Sequence, residues 1–214
     1  MASKKRYALL VDLDRCIGCH ACSVACKSEM GVPLGVWLSH VKYLEDGAYP
    51  NTTRYFLRNQ CNQCSNPPCV AASGGAMIQR EDGVVLIKDP KSPSLKTSMI
   101  ACPYHNISFD EGRGEFVKCT FCSHRVDRGL VPACANTCPT EALAFGDLND
   151  PDSEIRKRLK VKGKSEVLKE RMGTKPNIYY AGFKNGAREK FEKLIPGHRQ
   201  WTAREIEQQT SFNA

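Results

Sequence analysis

The stretch Cys16-Ile17-Gly18-Cys19-His20-Ala21-Cys22-Ser23-Val24-Ala25-Cys26 decides how this chain is read. Its cysteines follow the spacing C-x2-C-x2-C-x3-C, a pattern that ligates iron–sulfur cubanes. The reason is geometric. Three cysteines on one tight loop can grip three irons of a 4Fe–4S cluster, whereas the fourth cannot reach round to the same one. It caps a second cluster, whose other three ligands come from another run. Two such runs make two clusters by exchange.

Further along, the layout recurs. Cys61, Cys64 and Cys69 are followed by Ser73, where a fourth cysteine would stand; Ser92, Leu95 and Ser98 precede Cys102-Pro103; Cys119, Cys122 and Cys134 are followed by Cys138-Pro139. This is an internal repeat, and it is read before anything else. Exchange of the first run with the second, or with the third, leaves four cysteines stranded. Exchange of the first with the fourth, and of the second with the third, strands none. Cys16, Cys19 and Cys22 then close with Cys138; Cys26 closes with Cys119, Cys122 and Cys134; Cys61, Cys64 and Cys69 close with Cys102. All twelve cysteines are used in three 4Fe–4S sites. The lost ligands Ser73, Ser92, Leu95 and Ser98 all belong to one vanished fourth site.

Other readings are weaker. Structural zinc takes four cysteines, often as paired C-x2-C, but does not explain a run as dense as residues 16–26. Disulfides suit small secreted frameworks. His20, His105 and His124 lie near cysteines, yet no ligand slot lacks one, so packing or surface roles are expected. Ser73 or Ser98 is chemically able to ligate iron; the apolar Leu95 among them favours a collapsed, metal-free site. Lys27 is read as a helix residue, and Tyr179 and Tyr180 as packing. No serine–histidine–acid set, G-x-G-x-x-G or P-loop is present.

The chain has 214 residues, 41% hydrophobic and 25% charged, as in a globular protein. Its formal charge of +8 counts every cysteine as neutral. Each cluster with four thiolates carries about −2, so the basic balance offsets buried negative sites and gives little support to nucleic-acid binding. No apolar run of about 18 residues is present, so no direct membrane insertion is expected. The basic start and short apolar stretch after it are no signal peptide. A cytoplasmic location is expected, with export on a signal-bearing partner as the alternative.

Short strands are expected over 7–12, 54–57, 84–88, 107–110, 115–118 and 143–145, and helices over 23–29, 152–159, 165–172, 187–194 and 203–209. Ser153 is a candidate N-cap. Residues 173–180 read as extended, and the polar tail from about Gly182 as lying on a partner or in solvent. The fold class is α+β, with two ferredoxin-like cluster-binding units and a mostly extended and helical C-terminal arm. Residues 1–56 plus 112–150 form the first unit, with two clusters. Residues 57–111 form a second, degenerate unit with one, and residues 151–214 an arm that docks on a catalytic subunit.

Residues 16–27, 61–70, 101–104, 119–125 and 133–147, together with 173–180, resemble the ferredoxin-type iron–sulfur subunit of the molybdopterin oxidoreductases, the dimethyl sulfoxide reductase superfamily. The resemblance covers about residues 7–182. It implies a non-catalytic electron-transfer subunit docked on a large molybdenum or tungsten catalytic subunit. The lost set corresponds to the cluster farthest from that subunit in relatives, which puts a direct quinol connection in doubt. The three-site arrangement, with residues 68–76, 80–87 and 102–104, is similar to the small subunits of pyrogallol–phloroglucinol transhydroxylase and catechol dehydroxylases. That similarity implies a partner acting on hydroxylated aromatics. The chain is expected to lack the transhydroxylase's extra C-terminal β domain. A soluble electron donor is expected as a further partner. The rival expectations are a stand-alone polyferredoxin-like carrier and a zinc-stabilised binding module.

Overall fold

The computed structural model describes residues 4–195. In chain order the first half comprises β1 (Tyr7–Asp12), α1 (Ala21–Met30), β2 (Ser39–Ala48), β3 (Asn51–Gln60), α2 (Pro68–Ala71), β4 (Met77–Gln79), β5 (Val85–Ile87) and α3 (Leu95–Ala101). The second half comprises β6 (Ile107–Asp110), β7 (Glu115–Lys118), α4 (Ser123–Val126), α5 (Ala133–Asn136), β8 (Leu143–Asp147), α6 (Glu154–Lys162), a 3-10 turn over Glu170–Met172, β9 (Ile178–Ala181) and α7 (Ala187–Lys193). The predicted helix over 203–209 lies outside the described residues.

β1 is the middle of a three-stranded sheet in the order β8-β1-β9. Its near-continuous apolar run Ala8-Leu9-Leu10-Val11 is buried on both faces, as a central strand requires. β8 runs antiparallel to it, from Tyr7 opposite Asp147 to Val11 opposite Leu143. The first and last cysteine runs are thereby held side by side, although far apart in sequence. β9 joins the other edge in parallel, Leu9 opposite Ile178. The remaining strands form three antiparallel hairpins, β2-β3, β4-β5 and β6-β7.

Several sequence expectations shift. Strand 54–57 is the middle of a much longer arm, β2-β3, which pairs from Ser39 opposite Gln60 to Ala48 opposite Asn51. The expected helix over 165–172 is only the 3-10 turn, because Glu166 forms a β-bridge with Tyr180 and is drawn into extended backbone. Ser153 does sit at the start of α6, but its hydroxyl donates to the Asp147 carbonyl at 2.5 Å and makes no cap bond to the helix.

The tail from Gly182 is not free as far as residue 195: Ala187, Phe191 and Ile195 are buried in the main core. The α7 face reads as polar only on average, since those apolar residues recur at helical spacing. The unit boundaries expected at 56/57 and 111/112 fall within β3 and at the turn of the β6-β7 hairpin, so covalent strands and hydrogen bonds run across both.

Candidate metal centres

The C-x2-C loops share one local device. The residue before the second cysteine has positive φ in each: Gly18 at 69°, Gln63 at 45° and Phe121 at 53°. A left-handed turn of this kind points successive backbone N–H groups to one side, forming a concavity for anions. At Gly18 no other residue fits, since a Cβ would lie 2.3 Å from the Phe56 ring. The third run lacks the device. Ser94, the residue before Leu95, has φ −62° and simply starts α3.

The cysteines fall into neighbourhoods that can be followed through their mutual electrostatics. Burial pushes the Cys16 thiol up, with further lift from Cys22, Cys138 and Cys19, while the Gly18 N–H opposes. Burial pushes Cys26 up to about 12; Arg58 opposes, and Cys134, Cys122 and Cys22 add to the rise. Cys119 is raised by burial and then by Cys26, Cys61 and Cys134. Cys69 rises to about 12 through burial and then Cys61 and Cys102, with Lys118 opposing. Cys64 is raised by burial, Cys61, Cys102 and Cys69, against the Thr174 hydroxyl. Cys102 is raised by burial and Cys61, against the N–H groups of Asn106, Tyr104 and His105.

Cys22 thus acts on both Cys16 and Cys26, and Cys61 on both Cys119 and Cys64, so the thiols form a connected series. They differ in exposure. Cys19 is exposed and Cys16, Cys22 and Cys138 are half-buried, whereas the other eight are buried. The exposed Ile17 and Val24 flank the outer group.

The donor set is sulfur. Thiols this deeply buried stay protonated by themselves, and a metal is what draws them into the thiolate form. Backbone N–H groups already address them: Ala142 N to Cys138 Sγ at 3.2 Å and Phe121 N to Cys119 Sγ at 3.5 Å. Among the described residues no three His, Cys, Asp or Glu side chains close on a point that one metal ion could occupy. Soft thiols with N–H donors aimed at sulfur suit an iron–sulfur cubane.

The vacated positions are knitted shut. Ser73, Leu95 and Ser98 are fully buried. The Ser73 hydroxyl donates to Val70 O at 2.7 Å and accepts from Met77 N at 3.1 Å. The Ser98 hydroxyl donates to Cys69 O at 2.8 Å. Ser94 Oγ reaches Ser73 O at 2.6 Å and Ser92 Oγ at 2.8 Å. Leu95 fills the remaining space as part of the main core.

The histidines stand outside the thiol groups: His20 stacks on Tyr43, and His124 Nε2 lies 2.7 Å from Glu29. Lys27 lies in α1, its ammonium over the Trp37 ring at 4.7 Å, and Tyr180 is buried packing. Two buried cations were not singled out by sequence reasoning. Lys118 Nζ donates to Cys119 O at 2.8 Å and to Val85 O. Arg58 is fully buried; burial opposes its charge, but Cys134, Cys22, Cys119 and Cys26 more than offset this and hold it above its ordinary value. Neither has a sequence signal, since a lysine or arginine in a strand ordinarily faces water.

This fold and these sites define a ferredoxin-type 4Fe–4S protein of mixed α and β structure. Residues 52–148 match the family described as 4Fe-4S dicluster domain, and residues 7–28 the 4Fe-4S binding domain. A subunit of the tetrathionate reductase of Salmonella typhimurium is 38% identical over 184 residues, spanning 84% of this chain and 73% of that protein. A subunit of the polysulfide reductase of Wolinella succinogenes is 38% identical over 189 residues, 85% and 97% respectively. The iron–sulfur subunit of the arsenate respiratory reductase of a Shewanella species is 31% identical over 224 residues, 82% and 95%. The protein belongs to the iron–sulfur electron-transfer subunits of the molybdopterin oxidoreductases. It is an electron carrier of that family rather than a catalytic subunit.

Proposed function

We propose that the chain holds three 4Fe–4S clusters in series and passes electrons between a large molybdopterin catalytic subunit and an outside redox partner. The ligand sets are Cys16, Cys19, Cys22 and Cys138; Cys26, Cys119, Cys122 and Cys134; and Cys61, Cys64, Cys69 and Cys102. The observation that carries this reading is that each set proposed from the exchange contains thiols that also act on one another electrostatically. Each cluster, when bound, supplies a site that takes up and gives back single electrons. The protein's own part is to hold the thiolates, to exclude water with the aliphatic and aromatic core around them, and to aim N–H donors at sulfur, which sets the potentials.

The joins at Cys22–Cys26 and Cys119–Cys61 order the relay. The half-exposed first set, flanked by Ile17 and Val24, is the port toward the catalytic subunit. The third set ends against the closed Ser73–Ser98 network. The two ferredoxin-like units are nested, residues 57–111 within 1–56 plus 112–150, and the described part of the expected arm, residues 151–195, contributes to the docked face; its remainder lies outside the described residues. No helix among the described residues is long and apolar enough to cross a membrane, so the outside partner is reached by docking. For the catalytic subunit's substrate we propose a small oxidised compound, with hydroxylated aromatics as the class that the three-site pattern supports.

Iron, acid-labile sulfide and zinc content per chain after anaerobic purification tests this. About twelve irons and twelve sulfides are expected, without zinc. About three zincs and little iron would overturn the redox reading.

A further inference from the structure

Arg58 lies in the half of β3 nearest the second cysteine run, and no more than 1% of it reaches solvent. Its Nε and Nη1 atoms have no hydrogen-bond partner. Of the other buried charged side chains, Asp12 meets Lys162 at 2.8 Å, Asp110 faces Arg113 at 3.6 Å although its Oδ2 makes no hydrogen bond, and Lys118 donates to two carbonyls. Strand alternation puts Gln60 on the same face as Arg58. Gln60 is equally buried, and its Nε2 and Oε1 are likewise unpartnered. A polar row this dry is costly unless something anionic or hydrogen-bond accepting lies beside it. Arginine cannot escape the cost by losing its proton. The thiols that act on it most strongly are those of Cys134, Cys22, Cys119 and Cys26. Three of these belong to the second ligand set, and Cys22 to the first.

We propose that Arg58 is a shared counter-cation and potential-setting residue for the first two clusters, offering its unpartnered N–H groups to sulfur where the two sets meet. Reduction adds one electron, and so one negative charge, to a site. The guanidinium is protonated before and after, so no proton moves with the electron. A fixed positive charge and N–H donors favour the reduced, more negative form and raise the potential. The third set, built on Cys61, Cys64, Cys69 and Cys102, has Lys118 rather than Arg58 as its nearby cation. The first two potentials therefore depend on Arg58 and the third does not. Arg58 is a positioning and tuning group and carries no electron itself. This inference rests on the three-cluster assignment proposed above.

The test is a redox titration followed by electron paramagnetic resonance on the intact complex, with iron content measured for every sample. In Arg58→Met the first two midpoint potentials are expected to shift negative and the third to stay in place. In Arg58→Lys, which keeps the charge but not the fork of donors, the same two shift less. Full iron with unchanged potentials in Arg58→Met would overturn the proposal, and so would a uniform shift of all three. If Arg58→Met fails to load iron, Arg58→Lys decides. Iron retained there, with the two selective shifts, supports the tuning role. Failure of both variants to load overturns it, because the shape of arginine would then be what the fold needs. Iron missing from the unsubstituted chain would instead sink the cluster assignment itself.

Discussion

At the scale of single residues, the exchange of ligands between runs makes substitutions unequal in a way that sequence neighbourhood alone would not suggest. Cys26 is four residues from Cys22, yet the proposed exchange puts the two in different sets. Cys26→Ser is expected to remove the signal of the set with Cys119, Cys122 and Cys134 and to leave that of Cys16, Cys19, Cys22 and Cys138. Cys102→Ser, a change among buried ligands, is expected to lower iron by about four per chain. It leaves the other two sets spectroscopically intact. Paramagnetic resonance of each reduced variant reads this directly, and loss of the Cys16 set in Cys26→Ser would refute the pairing. These residues could be proposed from spacing, because a cubane constrains its ligands more tightly than an apolar core does. Arg58 could not. Its strand neighbours Arg54 and Tyr55 are exposed and half-exposed, and nothing in the local pattern separates an arginine that faces water from one that turns inward to thiols.

At the scale of elements, legibility followed the strength of the local pattern. β1, β6 and β7 were readable because short apolar or alternating runs end at clear breakers. β2 was missed because Lys42, Glu45 and Asp46 interrupt its apolar positions, although Lys42 and Glu45 simply lie along a half-exposed hairpin arm. β9 read as extended, but its place beside β1 could not be read, since parallel pairing joins strands far apart in sequence. α7 is tied back to the hairpin by Lys190 Nζ and Asp46 Oδ2 at 2.7 Å. That ammonium holds the Asp46 carboxyl below its usual range. The sign follows: a carboxyl depressed in the folded state stabilises above its unfolded pKa, and loses this as pH falls through the folded value. Asp46→Asn is therefore expected to lower Tm at neutral pH and low salt, by no more than about 2–4 °C for so exposed a pair. The gap should close below the ordinary carboxylate range and at high salt. Thermal melts at two pH values and two ionic strengths check it; a gap that persists in acid would assign the effect to packing.

At the scale of the whole molecule, charge links sequence to cofactor count. The chain's formal charge at pH 7 is +8 with its thiols neutral. Every four-thiolate site subtracts about two charges whether it holds a zinc ion or an oxidised cubane, so three such sites leave about +2, two about +4 and four about zero. Isoelectric focusing of the loaded chain before and after reduction reads charge directly. Reduction separates the metals, because a cubane gains a further negative charge with each electron and zinc gains none. An acidic shift on anaerobic reduction is the expected outcome. A loaded chain that does not move with electrons would be a structural zinc protein, and its place in an electron relay would fall with that result.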